Sequence, residues 1–316
     1  MAVRSVNWEQ AGLVDSWKGI AEVVRFDWAA QLENTTASWF PQGRQDLGRE
    51  LLERVSAAHA ERPIDVFFSY LSGYWVDREV IEGIRAMGIL TVNFDFDDTR
   101  KFWNKRKQGV YTGSAELAPA FDVCVTAQSS SNVGKYVAIG ANPLFLPAGG
   151  NEDVFAIEQQ PVRDIPVSFV GQNYGARTDM IAFVEDQGIE VYKRGLGWPA
   201  GAASQQEMLD IYARSVVTLG FGYIGKTQLL GLKGRDFEVP MTGCAYLTTW
   251  NPELAGYFEP DREILFYRDR EDLLLKLRSC LENPEWAIDI GRRGRERALA
   301  QHTWGARWRT LLGVLG

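Results

Sequence analysis

Histidine is the scarcest chemistry-bearing residue, with His59 and His302 the only two in 316 positions. That excludes a histidine-rich metal centre and leaves a Ser-His-Asp hydrolase almost no raw material. Cysteine is nearly as rare. Cys124, Cys244 and Cys280 are odd in number and far apart, which argues against a disulfide frame and for a reducing cytoplasm. The chain also lacks an uninterrupted apolar stretch of about 18 residues and a charged-then-apolar leader, so neither a membrane span nor a secretory signal is expected. We therefore expect a soluble, unprocessed, cytoplasmic protein. Nor is there an excess of positive charge: 34 Lys and Arg stand against 41 Asp and Glu, a net charge of −7. General attraction to nucleic acid or anionic membrane is excluded on that ground, while a local basic patch is not.

What is present is a globular composition, 46% hydrophobic, at a length that a typical domain of about 150 residues divides into two. Leu47, Leu51, Leu52 and Val55 fit one helix face, and the short apolar run Ile64 to Tyr70 after Pro63 reads as a buried strand. Asp77 is placed to cap a helix bearing Val80, Ile81, Ile84 and Met87, Gly88 stops it, and Ile89 to Phe94 is the next strand. A third cycle runs through Phe121 to Ala127, Val133 to Ile139 and Leu144 to Leu146. Beyond it, residues 147 to 164, PAGGNEDVF and then the polar QQPVRD, follow neither period and read as a connection.

A second alternating series then begins. Val167 to Val170 is a strand, Thr178 precedes a helix with Met180, Ile181 and Val184, and Ile189 to Tyr192 is again a strand. Ser204 and Glu207 form a capping-box pattern. Val216 to Gly220, Ala245 to Thr248 and Ile264 to Phe266 continue the strands, and Asp269 caps a helix with Leu273, Leu274, Leu277 and Leu281. Alternation of this kind demands parallel pairing. The expected architecture is α/β: two Rossmann-like, doubly wound domains at 1–150 and 151–316 facing an interdomain cleft, with ligands at the carboxyl ends of strands. The first domain looks short at its beginning. No clear strand precedes Trp8, and Ala21 to Phe26 is the only candidate.

The most informative stretch is Lys233 to Thr248, KGRDFEVPMTGCAYLT. Glu238 falls near the start of a helical segment, where exposed amides favour a carboxylate, and an ionised carboxylate there can accept two hydroxyl hydrogen bonds from a ribose. The competing reading is that it balances Arg235 and Lys233. Gly171-Gln172-Asn173-Tyr174-Gly175 lies between a strand and a helix, so backbone amides could face a diphosphate with Arg177 supplying full charge, or form an ordinary turn. Lys226, Lys233 and Arg235 make a second cationic cluster suited to a leaving diphosphate. Lys193 and Arg194 fit that role or plain solvation, and Trp198 either borders a base or packs.

In the first half, Asp95, Asp97 and Asp98 follow a strand. Asp95-Phe96-Asp97 also has the D-x-D form by which single-domain glycosyltransferases hold a metal, but a second α/β half carrying Glu238 speaks against that architecture. Asp97 or Asp98 is the candidate general base, with helix capping or pairing to Arg100 as the alternative. Arg100, Lys101, Lys105, Arg106 and Lys107 fall within eight residues that also hold Phe102 and Trp103. Such interleaving suits either a phosphate-bearing ligand or a solvated face. His59 is expected to end a surface helix, His302 to make a structural contact, and Arg292, Arg293, Arg295 and Arg297 to be helix-surface charges.

The Lys233–Thr248 run, with Phe258-Glu259-Pro260, Glu263-Ile264-Leu265-Phe266 and His302-Thr303-Trp304 followed by Arg307, resembles the CgeB-like, spore-maturation type of glycosyltransferase in the GT-B superfamily. The likeness covers nearly all of residues 165 to 312. Weaker echoes occur at Trp8-Glu9, Asn93 to Asp98, and Leu146-Pro147-Ala148. It implies a nucleoside-diphosphate sugar donor held mainly by the second domain, a hydroxyl acceptor held mainly by the first, no required metal and no other cofactor. Glu238 matches the carboxylate that binds the donor ribose in related enzymes. A second glutamate, found eight positions earlier in the large retaining group, is here Leu230, so the resemblance does not carry a stereochemical outcome.

These readings combine into a metal-independent glycosyltransferase. Gly171, Gln172, Asn173, Arg177, Lys226, Lys233, Arg235 and Glu238 are the expected donor residues, Tyr70, Arg100 and Trp103 the acceptor residues, and closure would exclude water. The last helix is a candidate to pack back on the first domain, and the oligomeric state is left open. The alternatives are a catalytically silent nucleotide-sugar-binding module, an enzyme acting on an anionic polymer such as modified DNA, with nucleic acid entering only as acceptor, and an epimerase or phosphorylase on the same fold.

Overall fold

The computed structural model describes residues 1–4, 8–29, 39–40, 42–157 and 161–316. It divides into two compact units, Met1–Pro147 and Ala148–Gly316, each built on its own parallel sheet. The first contains α1 (Gln42–Glu61), β1 (Val66–Ser69), α2 (Arg78–Ala86), β2 (Leu90–Asp95) and the short α3 (Asp98–Lys101). A hairpin of β3 (Arg106–Lys107) and β4 (Val110–Tyr111) follows, then β5 (Val123–Thr126), α4 (Val133–Ala138) and β6 (Pro143–Phe145). The main sheet runs β1-β2-β5-β6, with Asn93 of β2 opposite both Ser69 and Cys124. Leu47, Leu51 and Val55 of α1 and Ile81 and Ile84 of α2 supply the core that covers it.

A single-residue β-bridge that the periodicity did not reveal precedes Trp8. Ala2 bridges Ser69 on one side and Phe26 on the other, both parallel. Its N–H donates to the Phe68 carbonyl at 2.8 Å, and the Tyr70 N–H donates to its carbonyl at 3.2 Å. The sheet thus extends to Phe26, Ala2, β1, β2, β5, β6, the doubly wound order that reverses direction between Ala2 and β1. A contact only this long cannot display a two-residue period, which is why the sequence hides it. Of the expected strand Ala21 to Phe26, Phe26 makes the bridge and the Val24 carbonyl accepts the Met1 ammonium at 2.8 Å. Asp77 does begin α2, but its carboxylate takes the Arg44 guanidinium instead of capping.

The second unit contains α5 (Glu152–Phe155), β7 (Ile165–Val170), α6 (Arg177–Asp186), β8 (Tyr192–Arg194), α7 (Gln205–Arg214), β9 (Ser215–Leu219) and α8 (Arg235–Met241). β10 (Ala245–Thr249), β11 (Leu265–Tyr267), α9 (Arg270–Glu282), α10 (Pro284–Gln301) and α11 (Trp304–Leu315) complete it. Sheet order is β8-β7-β9-β10-β11, again a doubly wound arrangement, here reversing between β7 and β9. Val167, Phe169, Val217, Leu219, Ala245 and Leu247 form its buried centre.

Ser204 and Glu207 make the reciprocal capping box, and the Asp269 side chain accepts the Asp272 N–H. β8 begins three residues later than expected, because Gly188 and Ile189 still donate back to the end of α6. Within the connection the structure has α5, capped by Asn151. Residues 158–160, Glu158, Gln159 and Gln160, lie outside the described part. α11 is tied to the start of its own unit: Trp304 N–H donates to the Gly150 carbonyl at 2.9 Å and Arg307 Nε to that of Ala148 at 3.2 Å. All three cysteines are buried and unpaired. Among the described residues no helix is long and apolar enough to cross a membrane.

Candidate functional site

In open α/β sheets the crevice outside the strand ends, where the winding reverses, is the natural ligand position. In the second unit that crevice begins at Gly171. Its N–H donates to the Arg194 carbonyl at 2.8 Å, and its own carbonyl accepts the Trp198 indole N–H at 2.9 Å. A Cβ at Gly171 would stand 2.7 Å from an Arg235 guanidinium nitrogen, so only glycine lets that cation lie over the strand end. The Asn173 N–H donates to Leu196 and its side-chain amide to Gly197. The amides of Gly171 and Asn173 are therefore spent on the end of β8 and the loop after it, unlike the expectation that they face a diphosphate.

The guanidinium groups carry the positive charge instead. Arg177 is buried, donates to the Gln172 carbonyl at 2.8 Å, and lies 4.6 Å from the Tyr174 ring centre and 5.6 Å from that of Phe169. Arg235 lies 5.3 Å from the same Phe169 ring. Burial first, and then the like charge of Arg235, pull the Arg177 pKa down. Among the described residues neither guanidinium has an ion-pair partner. Two cations held over one ring, with no carboxylate within ion-pair distance among the described residues, can receive an anion.

Glu238 sits in the first turn of α8, near Arg235. Burial pushes its carboxyl up to about 7 while Arg235 pulls the other way. The reading that it simply balances Arg235 and Lys233 finds no ion pair within 4.0 Å among the described residues. Lys233 is otherwise engaged: its ammonium donates to the carbonyls of Gly222 at 2.8 Å, Tyr223 at 3.3 Å and Gly231 at 3.4 Å. It clasps a loop, and burial holds its pKa down at about 8. Lys226 is exposed on that loop and Leu230 is bridged to Tyr223.

Asp236 and Phe169 escaped the sequence reading. Asp236 accepts the Tyr246 hydroxyl at 2.6 Å and the Lys233 N–H at 2.8 Å, fastening the start of α8 to β10. Its place three residues after Lys233, ahead of a helix, was the available signal. Lys193 pairs with Glu185 and Arg194 with Glu207. Behind α8, buried His302 bonds the Tyr257 carbonyl at 2.8 Å and packs against Phe237, Tyr257 and Phe258. Burial lowers its pKa to about 4, so it packs as a neutral ring. His59 accepts the Ile64 N–H at the end of α1. Arg292 and Arg293 pair with Asp289, Arg297 pairs with Glu263, and Arg295 donates to the Met241 carbonyl.

The winding reversal of the first unit brings together Glu9, Tyr70 and the carboxyl end of β2. Asp95 is buried there, accepting the Asp97 N–H at 2.7 Å and the Ser114 hydroxyl, and burial pushes its pKa up. Asp97 stands half exposed, accepting the Tyr70 hydroxyl at 3.3 Å and the Lys101 ammonium at 2.8 Å. Asp98 is fully buried and accepts the Asn132 amide at 2.9 Å and the Tyr136 hydroxyl at 3.0 Å. Burial and then Asp95 raise its pKa. Of the two candidate bases, only Asp97 keeps an open face. Arg100 is exposed, and half-exposed Trp103 rests against Tyr111, away from the Asp97 cluster in its contacts. Among the described residues no group of three His, Cys, Asp or Glu side chains is placed to hold a metal ion.

Two Rossmann-like units on parallel sheets are the fold seen in GT-B glycosyltransferases, and comparison with solved structures gives the same fold. Anabaena Alr3699/HepE, solved with UDP and glucose, aligns at a TM-score of 0.64 and 10% identity, covering 99% of this chain and 98% of that one. Sucrose-phosphate synthase from Thermosynechococcus elongatus aligns at 0.58 and 14% identity over 86% and 80%. A glycosyltransferase from Rickettsia africae aligns at 0.57 and 10% over 90% and 83%. More particularly, residues 177–313 match the family model described as glycosyl transferase-like. A search of curated proteins finds no match.

Proposed function

We propose that this protein is a glycosyltransferase that moves a sugar from a nucleoside-diphosphate sugar to a hydroxyl acceptor, without a divalent metal or other cofactor, and that it is of the CgeB-like type. The observation that carries the reading is the pair Arg177 and Arg235 over Phe169, with Glu238 beside them, at the sheet reversal of the second unit. The UDP and UDP-glucose complexes of HepE, a structural neighbour, support it. In this reading the second unit holds the donor and the first the acceptor. Glu238 accepts the ribose hydroxyls, and Arg177 and Arg235 hold the diphosphate.

The acceptor oxygen attacks the anomeric carbon as the bond from that carbon to the diphosphate oxygen breaks. Asp97 takes the acceptor proton, and the leaving diphosphate keeps the bonding pair. Arg177 and Arg235 offset its growing negative charge, worth most where water is excluded. Lys233 contributes by holding the 222–231 loop, and Lys226 lends exposed charge to the same side.

The test is thermal unfolding with UDP, GDP, TDP and ADP in the presence of EDTA. A donor site gains about 2.7 kcal/mol at a hundredfold excess of ligand over Kd. At least one diphosphate should raise the melting temperature in wild type and fail to do so in Arg235→Gln. Absence of any shift with all four overturns the reading.

A further inference from the structure

The cluster around Asp97 contains more than a base. Trp8 leaves 39% of its surface exposed, although an indole gains from burial. Its ring centre is 4.9 Å from that of Phe96, edge to face, and 6.1 Å from that of Tyr70, while Phe96 and Tyr70 meet at 5.3 Å. The Tyr70 hydroxyl reaches Asp97. Trp8 is placed firmly, because the next residue, Glu9, is fully buried and accepts the Arg4 N–H at 3.0 Å and its Nε at 2.9 Å.

From this juxtaposition we propose that Trp8, backed by Phe96 and Tyr70, is the platform of an acceptor subsite for a neutral pyranose ring. The inference rests on the glycosyltransferase reading and names its acceptor class. An aromatic face is negative and a pyranose face presents weakly positive C–H groups, so the two stack, and the ring's edge hydroxyls are left to bond a carboxylate. Asp97, next in the chain to Phe96, is the carboxylate in reach of that edge. The local charge argues for a neutral sugar: the cations that ion-pair within this cluster, Arg4 and Lys101, are already held by Glu9 and Asp97, so an anionic acceptor would have to compete with a carboxylate for either one. Arg106 and Lys107 lie over Tyr111 and Tyr74, in the hairpin region beyond this cluster.

The experiment is saturation-transfer NMR on the full chain with UDP present, using methyl β-D-glucopyranoside and methyl β-D-galactopyranoside as probes and glycerol as a hydroxylic compound without a ring. Ring C–H protons of at least one glycoside should receive saturation and glycerol should not. Trp8→Ala should weaken glycoside binding about tenfold and Trp8→Phe much less, since the ring face is retained. With UDP-glucose as donor, the acceptor KM should rise in Trp8→Ala while the UDP-induced thermal shift stays as in wild type. Equal signals from glycerol, or unchanged glycoside binding in Trp8→Ala, overturn the subsite. Preferential binding of glucose 6-phosphate over the neutral glycosides overturns the neutral class. If none of UDP, GDP, TDP and ADP gives a thermal shift, the donor reading itself has failed; if only another diphosphate does, it replaces UDP in this experiment. A normal UDP shift without glycoside signal sinks this inference alone.

Discussion

Glu238 and Asp97 are the residues on which the proposed chemistry turns, and their surroundings differ. The Glu238 carboxyl is pushed up to about 7 by burial, yet accepting two ribose hydroxyls requires the ionised form. Affinity for UDP-glucose, whose diphosphate does not titrate near neutrality, should therefore rise as pH increases from 6 to 8, checked by calorimetry at each pH. Glu238→Gln should remove that rise and cost about 1.5–3 kcal/mol of binding at pH 8. Asp97→Asn should lower turnover by about 10²- to 10⁴-fold with UDP-glucose affinity kept. Asp98→Ala should act elsewhere: it removes the acceptor of the buried Tyr136 hydroxyl and one of the acceptors of the Asn132 amide, which keeps Thr99 and Thr126, costing about 1–3 kcal/mol in urea unfolding. The sequence could place three carboxylates after a strand, but a strand end does not say which side chain turns inward. Burial leaves Asp97 accessible and encloses Asp98.

Among the elements, the loops at the second unit's sheet reversal carry the most constraint. Gly175 has φ +71°, and a Cβ there would stand 2.4 Å from the Gly225 carbonyl, so the β7–α6 loop and the loop after β9 touch through glycine. Gly175→Ala should lower stability by about 1–2 kcal/mol from backbone strain alone, measured by thermal unfolding. Lys233 clasps the same region through three carbonyls. Lys233→Met should speed hydrogen exchange of residues 222–231 before any donor is added, whereas a residue acting only on phosphate would change affinity and leave exchange alone. The helices announced themselves: caps at Ser204 and Asp269 and the apolar faces of α1 and α2 are local signals, readable because the same few residues make both pattern and bond. The clasp of Lys233 was not readable, since its partners are backbone carbonyls brought near only by the fold.

At the scale of the molecule, each unit has its own parallel sheet with reversed winding, and the proposed function puts a ligand at each reversal. Hydrogen exchange with UDP-glucose should show protection concentrated at residues 171–177 and 233–238 of the second unit, and a spread of protection confined to the first unit would contradict the donor assignment. By itself the sequence determined the class of architecture. Alternation of short apolar runs with amphipathic helices admits only parallel strands, and the segment around Glu238 carries recognisable chemistry. Tertiary structure alone decided that Ala2 pairs between Phe26 and β1, that Arg177 and Arg235 share one phenyl ring, that Lys233 clasps a loop, and that Asp98 is sealed while Asp97 is not. Each depends on contacts between residues far apart in the chain, and a local pattern records periodicity but not which distant group will fill a given space.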